Sequence, residues 1–234
     1  MSGEENVASE RLAAIRARIA KAQARFGPPP ERVELVAVSK TVPAAGVLPY
    51  LKAGQRVFGE NRVQESMAKW PQLKANFPDV QLHLIGPLQT NKVREAVELF
   101  DVIETLDREK LAVALRAEFE RVGKRPKLLV QVNIGNEPQK SGVARENAVE
   151  FVQKCMKFHG LEIAGLMGIP PAGVPAGPYF ADLAQLGRDA GIEWLSMGMS
   201  ADFEVAIAMG ATHVRVGSAL FGARPPLQAT EAGI

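Results

Sequence analysis

The run Val33-Glu34-Leu35-Val36-Ala37-Val38-Ser39-Lys40 decides how the chain is read. Five of its first six residues are apolar, and three of those are valines suited to a pleated, packed position, so the run reads as a short buried strand. Lys40 stands where that strand gives way to Thr41, Val42 and Pro43, which stop it and can open a helix. An amine held at the mouth of a rigid core is partly desolvated, which favours the neutral form that attacks aldehydes. A lone lysine at a strand end is ordinarily a solvated surface group. Lys40 therefore acquires meaning only from what the rest of the chain places beside it.

Before this strand, Ser9 to Phe26 carries Leu12, Ile15 and Ile19 at helical spacing, with Arg11, Arg16, Arg18, Lys21 and Arg25 on the remaining faces. The basic side is expected to be a solvated helix face. Gly27 and the prolines at 28–30 end the helix and deliver the strand.

After it, strand and helix signals alternate. Strands are expected at 33–39, 56–58, 81–85, 101–104, 127–132, 161–166, 194–196 and 213–216, with helices at 43–53, 61–76, 89–99, 107–122, 144–158, 178–190 and 202–209 between them. Eight right-handed strand-helix units predict an α/β protein of a single domain: a (β/α)8 TIM barrel over about 33–224, the leading helix before it and a short C-terminal tail after it. An open doubly wound sheet is the competing architecture. It is disfavoured because no Gly-x-Gly-x-x-Gly turn follows the first strand. PPAGVPAGP, Pro170 to Pro178, reads as a loop over one rim.

Composition narrows the function classes. Hydrophobic residues make up 47% of the 234, enough for a sizeable core, and the net charge of +2 is spread along the chain, so nucleic acid is not expected as the partner. No apolar run is long enough to cross a bilayer, and the expectation is a cytoplasmic protein without membrane partners. The one cysteine, Cys155, lies in a helical stretch and reads as a packed thiol.

In a barrel of this kind reactive groups sit on the loops after the strands. That places Lys40, Glu60, Asn61, Asn133, Met167, Gly168, Gly198 to Ser200, Gly217 and Ser218 on one face. Phosphate sites commonly use the loops after the seventh and eighth strands, and SMGMS (Ser196 to Ser200) and RVGSALFG (Arg215 to Gly222) supply glycines for close backbone approach and the hydroxyls of Ser200 and Ser218. A phosphate anchor beside an aldehyde-seeking amine points to pyridoxal 5'-phosphate, PLP.

VAVSKT, FGENRVQE, HLIGPLQTNK, VNIGNEPQKSG, GLMGIPP and MGMSADFEVAIAMGATHVRVGSALFG resemble the pyridoxal phosphate homeostasis protein family, whose fold is similar to the barrel domain of alanine racemase. The likeness runs from about Val33 to Arg224. It implies that Lys40 is the Schiff-base lysine, that Ser200 binds phosphate by its hydroxyl and Gly217 and Ser218 by backbone N–H, that Arg215 faces the pyridine nitrogen, and that Asn61 flanks the cofactor. Pro87 stands where the family often has histidine, and the loop 172–177 is longer than usual. An arginine can only donate to the ring nitrogen, which then stays unprotonated and makes a poor electron sink.

The resemblance implies a monomeric protein of intracellular PLP homeostasis that holds PLP and buffers or delivers it, to PLP enzymes or amino acids, without turnover. The competing expectation is an amino-acid racemase. That reaction needs an acid or base on each face of a planar carbanion, and Tyr50 and Tyr179, the only tyrosines, fall in or beside predicted helices. His159 and His213 fit no metal spacing, and His83 is expected to be a satisfied core or rim histidine, not a catalytic base. Glu137 and Lys140 are expected to form a rim ion pair.

Overall fold

The computed structural model describes residues 3–26 and 33–222. The expected prolines at 28–30, the end of the barrel segment at 224 and the tail lie outside them. The helix α1 spans Gly3–Phe26, six residues longer at its start than the apolar spacing alone predicts. Glu4 and Glu5 in its first turn favour the extension, because carboxylates offset the positive end of the helix dipole. Ala8, Leu12, Ile15, Ile19 and Ala22 are buried, and the alternating spacing of four and three keeps them on one stripe.

The strands are β1 Glu34–Val38, β2 Val57–Glu60, β3 Gln81–Leu84, β4 Val102–Leu106, β5 Lys127–Asn133, β6 Val143–Ala144, β7 Ile163–Gly168, β8 Trp194–Met199 and β9 His213–Val216. The helices after α1 are α2 Ala44–Lys52, α3 Val63–Asn76, α4 Val93–Leu99, α5 Glu109–Val122, α6 Ala148–Lys157, α7 Gly177–Ala190, α8 Phe203–Ala208 and α9 Ser218–Phe221. The sheet runs β4-β3-β2-β1-β9-β8-β7-β5, and β4 pairs with β5, so eight parallel strands close into a barrel. The seam between the first and last strands pairs Glu34 with His213 and Ala37 with Val216.

Every expected strand is present. β4, β7 and β8 run two or three residues further towards their carboxyl ends than the apolar runs suggested. Those extra residues include Gly168, which pairs with Val132 despite its low strand propensity, and Gly198, which sits at the register shift between Ser196 and Met199 with a positive φ. β6, a two-residue addition alongside β5, and the short α9 had no periodic signal to announce them.

The outer faces of the strands pack against the helices in one large cluster that includes Leu35, Ala37, Phe58, Leu82, Ile103, Val130, Val214 and Val216. Alternation turns the other residues inward, where Val102, Leu129 and Met167 form a small separate cluster. α1 lies against α8, α2 and α9. Its basic side is used more than a solvated face would be: Arg11 Nη1 donates to the Leu220 carbonyl at 2.9 Å, Arg16 to the Gly54 carbonyl and to Gln55, and Arg18 pairs with Glu204. Among the described residues no helix is long and apolar enough to cross a membrane.

If α1 is an integral wall of the fold, Leu12→Ala should lower the unfolding free energy by about 2–5 kcal/mol, the range for emptying a buried leucine site. Urea denaturation reads this directly. A loss within experimental scatter would show that the helix rides on the barrel without packing into it.

Candidate functional site

Two sets of buried polar residues converge on the carboxyl-end rim of the barrel. The first fixes the turn that carries Lys40. Val36 and Val38 face inward on β1, and the same parity, one step on, reaches Lys40. The turn itself is held from three sides. Thr41 has a φ of 64°, a left-handed conformation uncommon for a residue with a branched Cβ, and its N–H donates to Glu65 Oε1 at 2.7 Å. Lys69 Nζ donates to the Ser39 and Val42 carbonyls, both at 2.9 Å, bracketing Lys40 in the chain.

Lys69 is anchored by Glu60. Their separation is 2.6 Å, with side chains only 7% and 0% exposed. Glu60 Oε1 also accepts from the Ser39 hydroxyl at 2.6 Å and from Trp70 Nε1 at 3.0 Å. Stripping water from two charges is costly, and the added hydrogen bonds help offset it. Glu60 was expected on this face. Lys69 was not, because one lysine in an ordinary amphipathic helix leaves no signature.

The next residue, Asn61, has its Oδ1 buried with no hydrogen-bond partner among the described residues, as has Glu60 Oε2.

Across the seam, Gly217 follows β9 immediately, and a Cβ built on it would lie 3.3 Å from the Val38 carbonyl oxygen. Ser200 Oγ accepts from the Gly217 N–H at 3.3 Å, joining the loop after β8 to the end of β9. Gly198 lets the end of β8 lie close against α8. Its φ is +88°, and a Cβ there would meet Phe203 Cα at 2.9 Å, so a side chain would be both strained and obstructed. Asp202 secures the loop by accepting from the Met199 N–H at 2.6 Å. Ser218 is exposed at the start of α9.

The second buried set crosses the barrel interior. Arg215, 4% exposed, donates from Nη1 to Ser196 Oγ at 2.7 Å and from Nη2 to the Gly168 carbonyl at 3.0 Å. Ser196 Oγ lies 2.5 Å from Glu104 Oε2, and Glu104 Oε1 lies 2.7 Å from His83 Nδ1. His83 is a satisfied core histidine, as expected. Its partner Glu104 went unread in the sequence, although an acidic residue two positions from inward-facing Val102 was a usable signal. Burial alone would push the Glu104 carboxyl up. The hydrogen bond and charge of His83, the Arg215 charge and the Ser196 hydroxyl outweigh burial and hold it at about 2. Burial pulls the Arg215 guanidinium below its ordinary value, and Glu104 and Asp202 oppose that.

On the rim opposite α1, the Glu137–Lys140 pair forms, and Lys140 Nζ also donates to the Pro170 carbonyl at 3.2 Å, tying the loop after β5 to the proline-rich one. Tyr50 is buried and donates to the Leu220 carbonyl. Cys155 is buried too, its thiol pushed up to about 12 chiefly by burial. Among the described residues no group of three or more His, Cys, Asp or Glu side chains could hold a metal ion.

The structure thus brings Lys40, Gly217 and Ser200 to one stretch of rim, with Arg215 inside it and Asn61 on the loop after β2. Residues 11–225 match the family model described as alanine racemase, N-terminal domain. A Pseudomonas aeruginosa pyridoxal phosphate homeostasis protein is 43% identical over 223 residues, covering 92% of this chain and 95% of that one. The chain belongs to this family. An Escherichia coli protein of the same name is 40% identical over 235 residues, covering 94% and 97% of the two chains. The solved structure of PipY from Synechococcus elongatus with PLP bound superimposes with a TM-score of 0.78 at 39% identity, covering 92% of this chain and 100% of that one.

Two outcomes test the buried electrostatics. Lys69→Met leaves the Glu60 charge without its counter-ion and should cost about 3–5 kcal/mol of stability, while Lys69→Met combined with Glu60→Gln should recover most of it. Urea midpoints that fall equally in the single and double variants would show that the pair is not coupled. The second outcome concerns pH. Burial is the main force pulling His213 down, and although Glu104 opposes it, the ring ends at about 4 instead of its ordinary 6.5. Between those values the unfolded chain takes up a proton that the folded one refuses, so stability is full above 6.5 and drains as pH falls towards 4. Wild type should lose about 2 kcal/mol more than His213→Gln between about pH 7 and pH 5, measured by urea unfolding at each pH.

Proposed function

We propose that the chain binds PLP at this rim, holds it as a Schiff base on Lys40 and buffers or delivers it inside the cell without turning over a substrate. The observation that carries the reading is the β1–β9 seam, which sets the Lys40 turn beside Gly217 and its partner Ser200. The residues present fit the cofactor. Asn61 Oδ1 is buried and unpartnered among the described residues, the Gly217 N–H and the Ser200 hydroxyl meet at the end of β9, and Arg215 supplies a fixed cationic donor. In this reading Ser200, Gly217 and Ser218 hold the phosphate, Asn61 flanks the ring and Arg215 donates to the ring nitrogen. When bound, PLP supplies a reactive aldehyde that an amine can capture with loss of one water and that a second amine can take over.

The protein's part is to hold the amine and to restrain the chemistry open to it. Glu60, Lys69 and Glu65 fix the backbone on both sides of Lys40, so the amine is presented at low entropic cost. A donor at the ring nitrogen that cannot accept a proton back leaves the ring a weak electron sink, which suits storage better than carbanion chemistry. The homeostasis name carried by the relatives supports the same division of labour. Racemisation would need a second acid or base at the ring. Tyr50 is committed to the Leu220 carbonyl and packed at a tilt against Phe221, which counts against its being that group. The reading includes a monomer in the cytoplasm, with PLP enzymes or free amines as recipients.

Borohydride treatment of the protein loaded with PLP should fix the cofactor to the peptide containing Lys40, read by mass, and Lys40→Ala should abolish the absorbance near the visible edge while keeping weak phosphate-anchored binding. An unchanged spectrum in Lys40→Ala would refute the assignment. Sustained loss of optical purity in a single-enantiomer amino acid would favour the racemase instead.

A further inference from the structure

The barrel interior could have been filled by apolar side chains alone, as its Val102, Leu129 and Met167 layer is. Instead it contains a carboxylate and a guanidinium, Glu104 and Arg215, 0% and 4% exposed. They do not form a close ion pair, for Arg215 Nη1 is 4.0 Å from Glu104 Oε2. The Ser196 hydroxyl stands between them, 2.7 Å from the one and 2.5 Å from the other.

Hydrogen-bond direction along this line is forced. A guanidinium has no acceptor, so Ser196 Oγ must accept from Arg215 and must spend its single proton on Glu104. The second carboxylate oxygen is met by His83 Nδ1 from β3, and Arg215 Nη2 is fixed independently by the Gly168 carbonyl at the end of β7. Five strands therefore define where the guanidinium sits: β3, β4, β7, β8 and β9. The charged or titratable groups facing Glu104 are His83, Arg215 and the His213 ring.

We infer that Glu104, acting through Ser196, is a positioning residue for the cofactor ring: it holds the Arg215 guanidinium in the one pose that presents a donor to the pyridine nitrogen. The inference rests on the proposed PLP site and adds to it the residues that set its arginine. It predicts a division of the site into two parts, because the phosphate residues Ser200, Gly217 and Ser218 make none of the contacts in this line. Losing the line should weaken binding of the ring and spare binding of phosphate.

The test uses 4-deoxypyridoxine 5'-phosphate, which keeps the ring nitrogen and the phosphate but has no aldehyde, so Lys40 chemistry does not enter. Calorimetric titration of the full chain with this compound and, separately, with inorganic phosphate compares wild type, Glu104→Gln and Ser196→Ala. Both variants should bind the ring compound about tenfold more weakly, the loss of one well-placed hydrogen bond, with phosphate affinity unchanged. Ser196→Ala keeps both buried charges and decides the matter if Glu104→Gln fails to fold. Equal losses for the two ligands, or no loss for either, would overturn the positioning role while leaving Lys40 labelling intact. A wild-type chain that binds neither ligand would overturn the PLP site itself, and this inference with it.

Discussion

The pairing of the first strand with the last is the constraint on which the rest depends. Until β1 lies beside β9, Lys40 and Gly217 are separated by most of the chain. Once Ala37 is opposite Val216, their loops are neighbours on one rim. The contact joins segments at the two ends of the barrel sequence, so the site draws on both ends of the fold and on no single strand-helix unit. Closure also removes both free sheet edges, which lets strands this short persist.

Around that seam the molecule spends polar groups where an ordinary barrel would spend apolar ones. Glu60 with Lys69 on one side and Glu104 with Arg215 on the other are both buried, and both are hydrogen-bonded to further partners. Buried charges seldom add net stability compared with apolar residues of the same size. What they supply is direction: one pair orients the backbone of the Lys40 turn, and the other orients a guanidinium at the rim. This fits a protein whose task is to hold a reactive small molecule in a fixed attitude.

Most of the barrel was legible in the sequence because its strands are apolar runs punctuated by helices of clear period, and VELVAVSK showed both the strand and the lysine at its end. The rim positions of Lys40, Asn61, Ser200, Gly217 and Ser218 came from strand ends, and the lysine with the glycine-serine loops already suggested an aldehyde beside a phosphate; the separate roles of Asn61, Arg215 and the backbone N–H groups came from the resemblance. What stayed hidden depends on contacts between distant segments. Lys69 looks like any helix lysine until α3 brings it to the turn after β1, and Glu104 meets Ser196 only when β4 and β8 face each other across the lumen. β6 and α9 are too short to have a period. The basic stripe of α1 reads as solvated because nothing local shows which carbonyls a folded neighbour will offer.

One of those carbonyls connects the two ends of the described chain. The Leu220 oxygen accepts from Arg11 on α1 and from Tyr50 on α2, and Leu220 lies three residues after Gly217. The leading helix thus acts as a clasp on the chain just past Gly217, and because it also packs on α2, it borders the turn that follows Lys40 as well. One helix laid over both sides of the seam ties the two loops to a common wall, so a shift of that wall reaches both together.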